Sequence, residues 1–426
     1  MKLLLAYSDI DPQQWQMLVD SSPYATWFQT PEAYQFYAAN PEEMMPFVFA
    51  AAEEAKGERL EAKGTMDEAK GERLEAKGTM DEAKGERLEV RGEENGVAAI
   101  RAFTPYTLHS TPTESSRLIA SSPYRLKAVC VGYITRERSA LKQFFTRRAI
   151  IIGGPLLAED ATDAEVAALL KAVKEVKGER LEVKGAENSV ADNQASTPYT
   201  LHSTPIYIET RNFHDYSKWR TVFEANGFAY QPHLNFHVDT TSVEVVDKNL
   251  GKSRKRDIRT TIRDGVTPVL NPTIEQVREY YAILKDLYTT KVKTPLFSWN
   301  FFEQLYHTAH GRFILTEYQG KIIGGTVCVV LPNRAVYEWF VCGVDGVYEH
   351  IFPSSYATYL GIRYAAENGC QIFDMMGAGK PEEAYGVRDF KARFGGEQVE
   401  HGRYLCVRKP LLYWIGKMGV KMLKRR

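Results

Sequence analysis

Apolar and polar positions alternate along this chain in a way that predicts strands and helices in regular succession. Pro46-Phe47-Val48-Phe49-Ala50-Ala51 and residues 126–133 are nearly continuous apolar runs of strand length, and they read as the two arms of one hairpin. Residues 1–7 read as a first strand. Their apolar run is too short for a secretory signal, and Asp9 and Asp11 follow without a small-residue cleavage site. Ala149-Ile150-Ile151-Ile152 is a further strand, running into a turn at Gly153-Gly154-Pro155. From Asp163 to about Val176 the apolar residues Val166, Leu169, Leu170 and Val173 recur at helical spacing. A strand at 206–209, a helix near 216–226 and a strand through Phe236-His237-Val238 complete the first half.

The second half repeats this logic. Helices are expected near 274–288 and 299–307, then strands at 312–318, 322–331 and 335–341. A helix across 354–368 leads to an apolar strand at 372–376, a short helix around 387–394 and a last strand near 403–407. The fold class is therefore α/β (α+β), with a hairpin-rich mixed sheet and flanking helices in each half.

Two segments break the pattern. Residues 54–67 and 68–81 are the same fourteen-residue unit, EAKGERLEAKGTMD, and a third copy starts at Glu82. Glycine falls at every seventh position from 57 to 92. Each such glycine costs a helix about 1 kcal/mol relative to alanine, and each unit offers little beyond one leucine to bury, which argues against a packed solenoid. Residues 82–112 also align with 175–205 at a constant offset, with 23 of 31 positions identical. One element has thus entered twice, at about 54–112 and 175–205. Both landing sites are connections between predicted elements, where added length costs little, and the insertions are expected to be disordered or loosely structured passengers. Removing them leaves 336 residues, suited to two domains. The expected division is a first domain over 1–240, a second over 241–409 and a basic helix over 410–426.

The chain of 426 residues carries 54 basic and 54 acidic side chains, so any strongly basic surface must be local. The cysteines at 130, 328, 342, 370 and 406 are odd in number and widely spaced. Neither a disulfide framework nor a zinc site is suggested, and a reducing cytoplasm fits. No apolar stretch approaches the ~18 residues that a membrane-spanning helix needs. With no Gly-x-Ser-x-Gly elbow, a covalent hydrolase is disfavoured. His202, His233 and His237 have no ligand spacing and read as structural.

Several residues stand out chemically. Lys391 sits on a short helix between Phe390 and Phe394, ahead of a Gly395-Gly396 break that permits close approach. Asp374 ends an apolar strand just before Gly377-Ala378-Gly379. Burial there would raise its pKa and suit it to accept a proton, or it serves as a cap or a partner for Arg388 or Lys391. Glu338, between Tyr337 and Trp339, is expected to face solvent by strand alternation. Lys252, Lys255, Arg256, Arg259 and Arg263 fall on one side of a predicted helix that also carries Arg254. Such a stripe is either a solvated face or a grip for the phosphates of a tRNA acceptor stem or of a nucleotide- or lipid-linked precursor. From His401 onward there are eight basic residues and no acidic one, around Leu411-Leu412-Tyr413-Trp414-Ile415. This segment is similar to a membrane-surface helix, and equally to a terminal helix docked on the second half.

The order of elements and four motifs resemble the FemABX family, aminoacyltransferases built from two tandem GNAT-like acyltransferase domains. The motifs are Gly154-Pro155 before an acidic loop, Gly227-Phe228 before a strand ending at Asp239, the basic helix from Lys252 into Gly265-Val266, and a tail. The tail reads Phe373-Asp374-Met375-Met376-Gly377-Ala378-Gly379, then Gly386-Val387-Arg388, then Phe390 to Glu397. Two departures are the missing coiled-coil arm and Tyr34-Gln35-Phe36-Tyr37, where peptidoglycan members carry a nearby basic residue. The resemblance implies aminoacyl transfer from aminoacyl-tRNA to an amine of a peptidoglycan precursor, with no metal, no cofactor and no covalent intermediate. It implies that Phe390 stacks at the donor's end and that Lys391 supplies positive charge there. Lys391 and Asp374 are the catalytic candidates, and Phe390, Arg388, Arg393, Arg256, Arg259 and Tyr385 the substrate-binding ones. The alternatives are an acyl-CoA-dependent GNAT-type N-acyltransferase and a non-catalytic precursor-binding protein. The first is weakened because residues 346–353 lack the usual pyrophosphate loop.

Overall fold

A computed structural model describes residues 1–54, 124–136, 146–178 and 204–423. The repeat-derived insertions, 54–112 and 175–205, lie almost wholly outside the described residues, as does His202. The described residues form one compact unit. Its early strands are β1 (Lys2–Leu4), β2 (Met44–Glu54), β3 (Tyr124–Thr135), β4 (Arg148–Gly153), β5 (Leu156–Leu157), β6 (Tyr207–Asn212) and β7 (Ala229–Gln231). Next come β8 (Asn235–Asp239), β9 (Thr267–Val269), β10 (Gly311–Tyr318), β11 (Lys321–Leu331) and β12 (Ala335–Gly343). The last are β13 (Ile372–Asp374), β14 (Glu397–Val399) and β15 (Arg403–Val407). The helices are α1 (Pro12–Ser21), α2 (Pro31–Ala38), α3 (Asp163–Lys174), α4 (Arg220–Ala225), α5 (Val243–Asn249) and α6 (Lys252–Arg263). They continue with α7 (Ile274–Leu287), α8 (Trp299–Tyr306), α9 (Pro353–Glu367), α10 (Gly386–Ala392) and α11 (Pro410–Leu423).

Local signals set these boundaries. The Thr162 hydroxyl accepts from the Glu165 amide at 3.3 Å while the Glu165 carboxylate accepts from the Thr162 amide at 2.8 Å, a reciprocal cap that starts α3. Thr273 and Gln276 do the same for α7. The predicted hairpin is β2 with β3, antiparallel, with Pro46 opposite Tyr133 and one irregularity between Ala51 and Ala52. The predicted helix near 216–226 begins as a tight 3₁₀ turn over Ser217–Trp219 before α4.

The strands form two sheets of matching plan. The first runs β1-β2-β3-β4-β6-β15-β7, with β5 paired to β3, and the second runs β14-β8-β13-β12-β11-β10-β9. Each contains an antiparallel meander, then one parallel step: β4 with β6, crossed by α3, and β12 with β13, crossed by α9. Beyond the parallel step, each sheet is completed from the other half of the sequence. Strand β8 pairs with β13 and β14 in the second sheet, and β15 pairs with β6 and β7 in the first. The strand expected to close the first half therefore lies in the second sheet, and the last strand lies in the first. Periodicity predicts that a strand exists; its partner depends on the chain's crossing points.

Aromatic rings fill the space between the sheets. Phe28 lies 5.5 Å from Tyr337 and 5.0 Å from Trp339, and Phe213 stacks on Tyr337 at 5.4 Å. Polar ties reinforce them: the Ser298 amide donates to the Glu43 carboxylate at 2.8 Å, and Arg334 Nη1 donates to the Ser22 carbonyl at 2.7 Å.

The strand exchange predicts a single cooperative unfolding transition in urea. Tyr404→Ala in β15, where the ring is buried and stacks at 4.1 Å on Phe223, is expected to cost about 3–5 kcal/mol. Phe236→Ala in β8 should lower the same single midpoint, and two separate transitions would contradict this coupling.

Candidate active site

The strand carrying Asp374 is shorter than its apolar run suggests. It ends at Asp374 because Met376, Gly377 and Gly379 all take left-handed backbone angles, with φ of 52°, 83° and 77°. Met376 has a side chain in a region that disfavours one, so the turn must be held by its surroundings. Two side chains from α10 hold it. Lys391 Nζ donates to the carbonyls of Met375, Met376 and Gly377, the last at 2.7 Å. Arg388 donates to the carbonyl of Ala378 at 3.0 Å and to those of Lys380 and Pro381.

Asp374 is 2% exposed. Its carboxylate accepts from Asn235 Nδ2 at 2.8 Å, the Met376 amide at 2.7 Å and His237 Nε2 at 3.1 Å. Burial pushes its pKa up, but the His237 charge and these donors outweigh that and hold it below the usual carboxylate range. The expectation that burial leaves Asp374 with a raised pKa is thus reversed. His237, expected to be merely structural, is its hydrogen-bonding partner. Burial pulls the imidazole down, yet the Asp374 carboxylate raises its pKa on balance.

Lys391 is buried, and desolvation lowers its pKa against the opposing pull of Glu338 and Asp374. Glu338 does not face solvent. The register between β11 and β12 slips so that Val327 pairs with Phe340 and Cys328 with Glu338, leaving Trp339 as an extra residue. Simple alternation fails at that bulge. Glu338 points inward, accepting from Thr358 Oγ1 at 2.8 Å and Thr326 Oγ1 at 3.3 Å, and burial raises its pKa.

The remaining candidates occupy two places. The buried Arg254 packs over the adjoining rings of Phe390 and Phe394, its guanidinium 4.4 Å and 5.0 Å from their centroids, and donates to Ser355 Oγ. Arg254 is therefore the member of the basic helix turned inward. Tyr385, half exposed, precedes α10 and packs against Gly379. Arg393 is exposed where α10 meets α6, and its carbonyl accepts from the Gly251 amide at 3.1 Å. Arg256 and Arg259 lie on the outer face of α6, lining a shallow groove of about 490 Å³ with Lys252, Lys255, Thr260 and Arg263. Fold geometry thus gathers Asp374, Lys391 and Arg388 around one turn, sets Phe390 against Arg254 of α6, and leaves Arg256 and Arg259 on an outer surface.

His401, which drew no attention in the sequence, lies in the link between β14 and β15, with its ring 5.2 Å from that of His237. It lines a cleft of about 400 Å³ with Asp215, Arg220, Tyr230 and Glu400. Burial and the neighbouring His237 and His214 hold its pKa down to about 4, so it is neutral at pH 7. The His237–Asp374 pair behind it can accept a proton at a strand end, which is what amine acylation requires.

With this geometry in view, comparison with known proteins is informative. Residues 251–391 match the family model described as an acetyltransferase (GNAT) domain. The crystal structure of FemX superposes with a TM-score of 0.58 at 10% identity, covering 97% of this chain and 99% of that one. L-PGS from Bacillus licheniformis gives 0.43 at 12% identity over 68% of this chain and 85% of its own. A tandem GNAT protein from the clavulanic acid biosynthesis pathway gives 0.36 at 9% over 67% and 80%. No curated protein matches the sequence. The described fold is similar to that of FemX, and its second half carries the match to the GNAT acetyltransferase domain.

Two outcomes follow for the site's energetics. Lys391→Ala strands the three carbonyls that its ammonium satisfies and should destabilise the protein by about 3 kcal/mol in urea denaturation. His401 is neutral in the folded state down to about pH 4 while the unfolded imidazole protonates near 6.5, so stability should fall as pH drops through this window. His401→Gln should flatten that part of a melting-temperature profile.

Proposed function

We propose that the protein is an aminoacyltransferase that moves an aminoacyl group from aminoacyl-tRNA onto an amine of a peptidoglycan precursor in the cytoplasm, at the inner membrane face. The observation that carries this reading is the FemX-like tandem fold spanning nearly the whole chain. The sequence divides into domains over 1–240 and 241–409 that exchange β8 and β15, followed by the basic helix.

The donor is assigned on electrostatics. In an acyl-CoA enzyme the helix after the fourth meander strand receives a diphosphate at its N-terminus. Here that helix is α9, and the Asp345 carboxylate accepts from the Ser354 amide at 3.3 Å and from the Ser354 hydroxyl. A fixed anion at that end repels a diphosphate. The cationic outer face of α6 offers the phosphate-binding surface instead, through Arg256, Arg259 and their neighbours, with Arg393 at the start of α6, where its carbonyl accepts from the Gly251 amide.

In the transfer, the acceptor amine attacks the ester carbonyl of the aminoacyl-tRNA. The new C–N bond forms as the ester C–O bond breaks, and the amine's proton passes to His237 and on to the departing ribose oxygen. Asp374 positions His237 and stabilises its charged form, while Lys391 and Arg388 hold the turn that places Asp374. Phe390 fixes Arg254 and so locks α10 onto α6.

The test is label transfer with purified protein, charged tRNA, acetyl-CoA and peptidoglycan precursors. His237→Gln should lower kcat/KM by about 10²–10⁴-fold. Asp374→Asn should shift the acidic limb of the pH profile downward, because removing the carboxylate lowers the pKa of His237. Arg256→Ala with Arg259→Ala should raise KM for the charged tRNA and weaken its salt dependence. Consumption of acetyl-CoA alone, or precursor binding without turnover, would overturn the proposal.

A further inference from the structure

Helix α11 ends the described chain with an unusual surface. Its inner side is docked where Tyr413 packs edge-on against Tyr207 of β6 at 5.3 Å. Its outer side is apolar and uncovered. Leu411 is 71% exposed, Trp414 60%, Ile415 41% and Met418 39%. These positions follow i, i+3, i+4 and i+7, so they form one continuous stripe along the helix. Among the described residues nothing covers that stripe, an apolar surface that a partner would remove from water.

The charge around the stripe identifies the partner. Residues 401–426 contain eight basic side chains and no acidic one. Lys417 is exposed on α11, and at its root Arg147 and Arg408 lie within electrostatic reach of Lys409. An apolar stripe containing tryptophan, on a segment whose charged residues are all cations, matches the interface of an anionic bilayer, where the rings and alkyl chains enter the headgroup boundary and the cations meet lipid phosphates. At 14 residues the helix is about 21 Å long, too short to cross a hydrocarbon core of about 30 Å. Among the described residues no helix is long and apolar enough to span a membrane.

We infer that α11 is an in-plane anchor that binds the protein to anionic lipid through Leu411, Trp414, Ile415 and Met418, with the surrounding lysines and arginines on the headgroups. The anchor deepens the proposed function by naming the surface at which a lipid-linked acceptor would be met. It stands or falls separately, because vesicle binding needs no turnover and transfer to a soluble acceptor needs no vesicle.

The experiment is co-sedimentation of the full chain with vesicles of phosphatidylcholine alone and with 30% phosphatidylglycerol, at low and high salt. Binding is expected to the anionic vesicles, at least tenfold tighter than to neutral ones, weakening as salt rises. The triple variant Leu411→Ser, Trp414→Ser, Ile415→Ser should lose at least tenfold in binding with an unchanged melting temperature, since all three side chains are exposed. Equal binding to both vesicles, or by the variant and the parent, overturns the inference. So does sedimentation equilibrium in which the parent is a dimer and the variant a monomer without any vesicle preference, because a second copy then covers the stripe.

Discussion

The structure depends on a reciprocal exchange of strands. Strand β7 belongs to the first sheet and β8, three residues later, to the second; β14 belongs to the second and β15 to the first. The two short links therefore run side by side between the sheets, and the Gly402 amide donates to the His233 carbonyl at 3.2 Å where they meet. Neither sheet can complete its row beyond the parallel step without the other half of the chain. Two sheets that would otherwise be free to hinge become one packed unit, and the aromatic seam of Phe28, Phe213, Tyr337 and Trp339 fills the space between them.

The candidate site lies where this exchange brings strand ends together. Asp374 on β13 faces His237 on β8, and His401 arrives from the link into β15. Three segments far apart in sequence thus meet because each sheet borrows a strand. The charges there are managed by pairing rather than by exposure. Asp374 is surrounded by donors, Lys391 by carbonyls, and Glu338 by two threonine hydroxyls. Buried ions need such partners, since desolvation otherwise costs several kcal/mol per charge. Lys391 accordingly directs its hydrogen bonds to the backbone turn.

The surface divides into regions with distinct chemistry. Helix α6 turns five cations outward and keeps Arg254 inside, packed over the rings of Phe390 and Phe394. That inward arginine ties the basic helix to α10, which holds the Asp374 turn. The N-terminus of α9, the usual anion site of such a fold, is occupied by the Asp345 carboxylate. Helix α11 extends from the first sheet's edge with apolar residues outermost.

Much of this was legible in the residues themselves. The hairpin, the helices from Asp163 and across 354–368, the basic stripe and the tail around Asp374 and Lys391 all follow from periodicity and local chemistry, which depend on neighbours a few positions away. The FemABX-like tandem fold was legible for the same reason, since element order survives two insertions. Other features were not. Alternation misplaced Glu338 because a bulge at Trp339 shifts the phase of a strand covered on both faces. His237 read as structural because nothing local reveals that Asp374 lies opposite it. The exchange of β8 and β15 is likewise invisible along the chain. The sequence by itself determined which segments are strands and helices and which residues can carry charge. Tertiary structure alone decided which strands are neighbours, which charges are buried against one another and which apolar face is left uncovered, because those depend on contacts between residues more than a hundred positions apart.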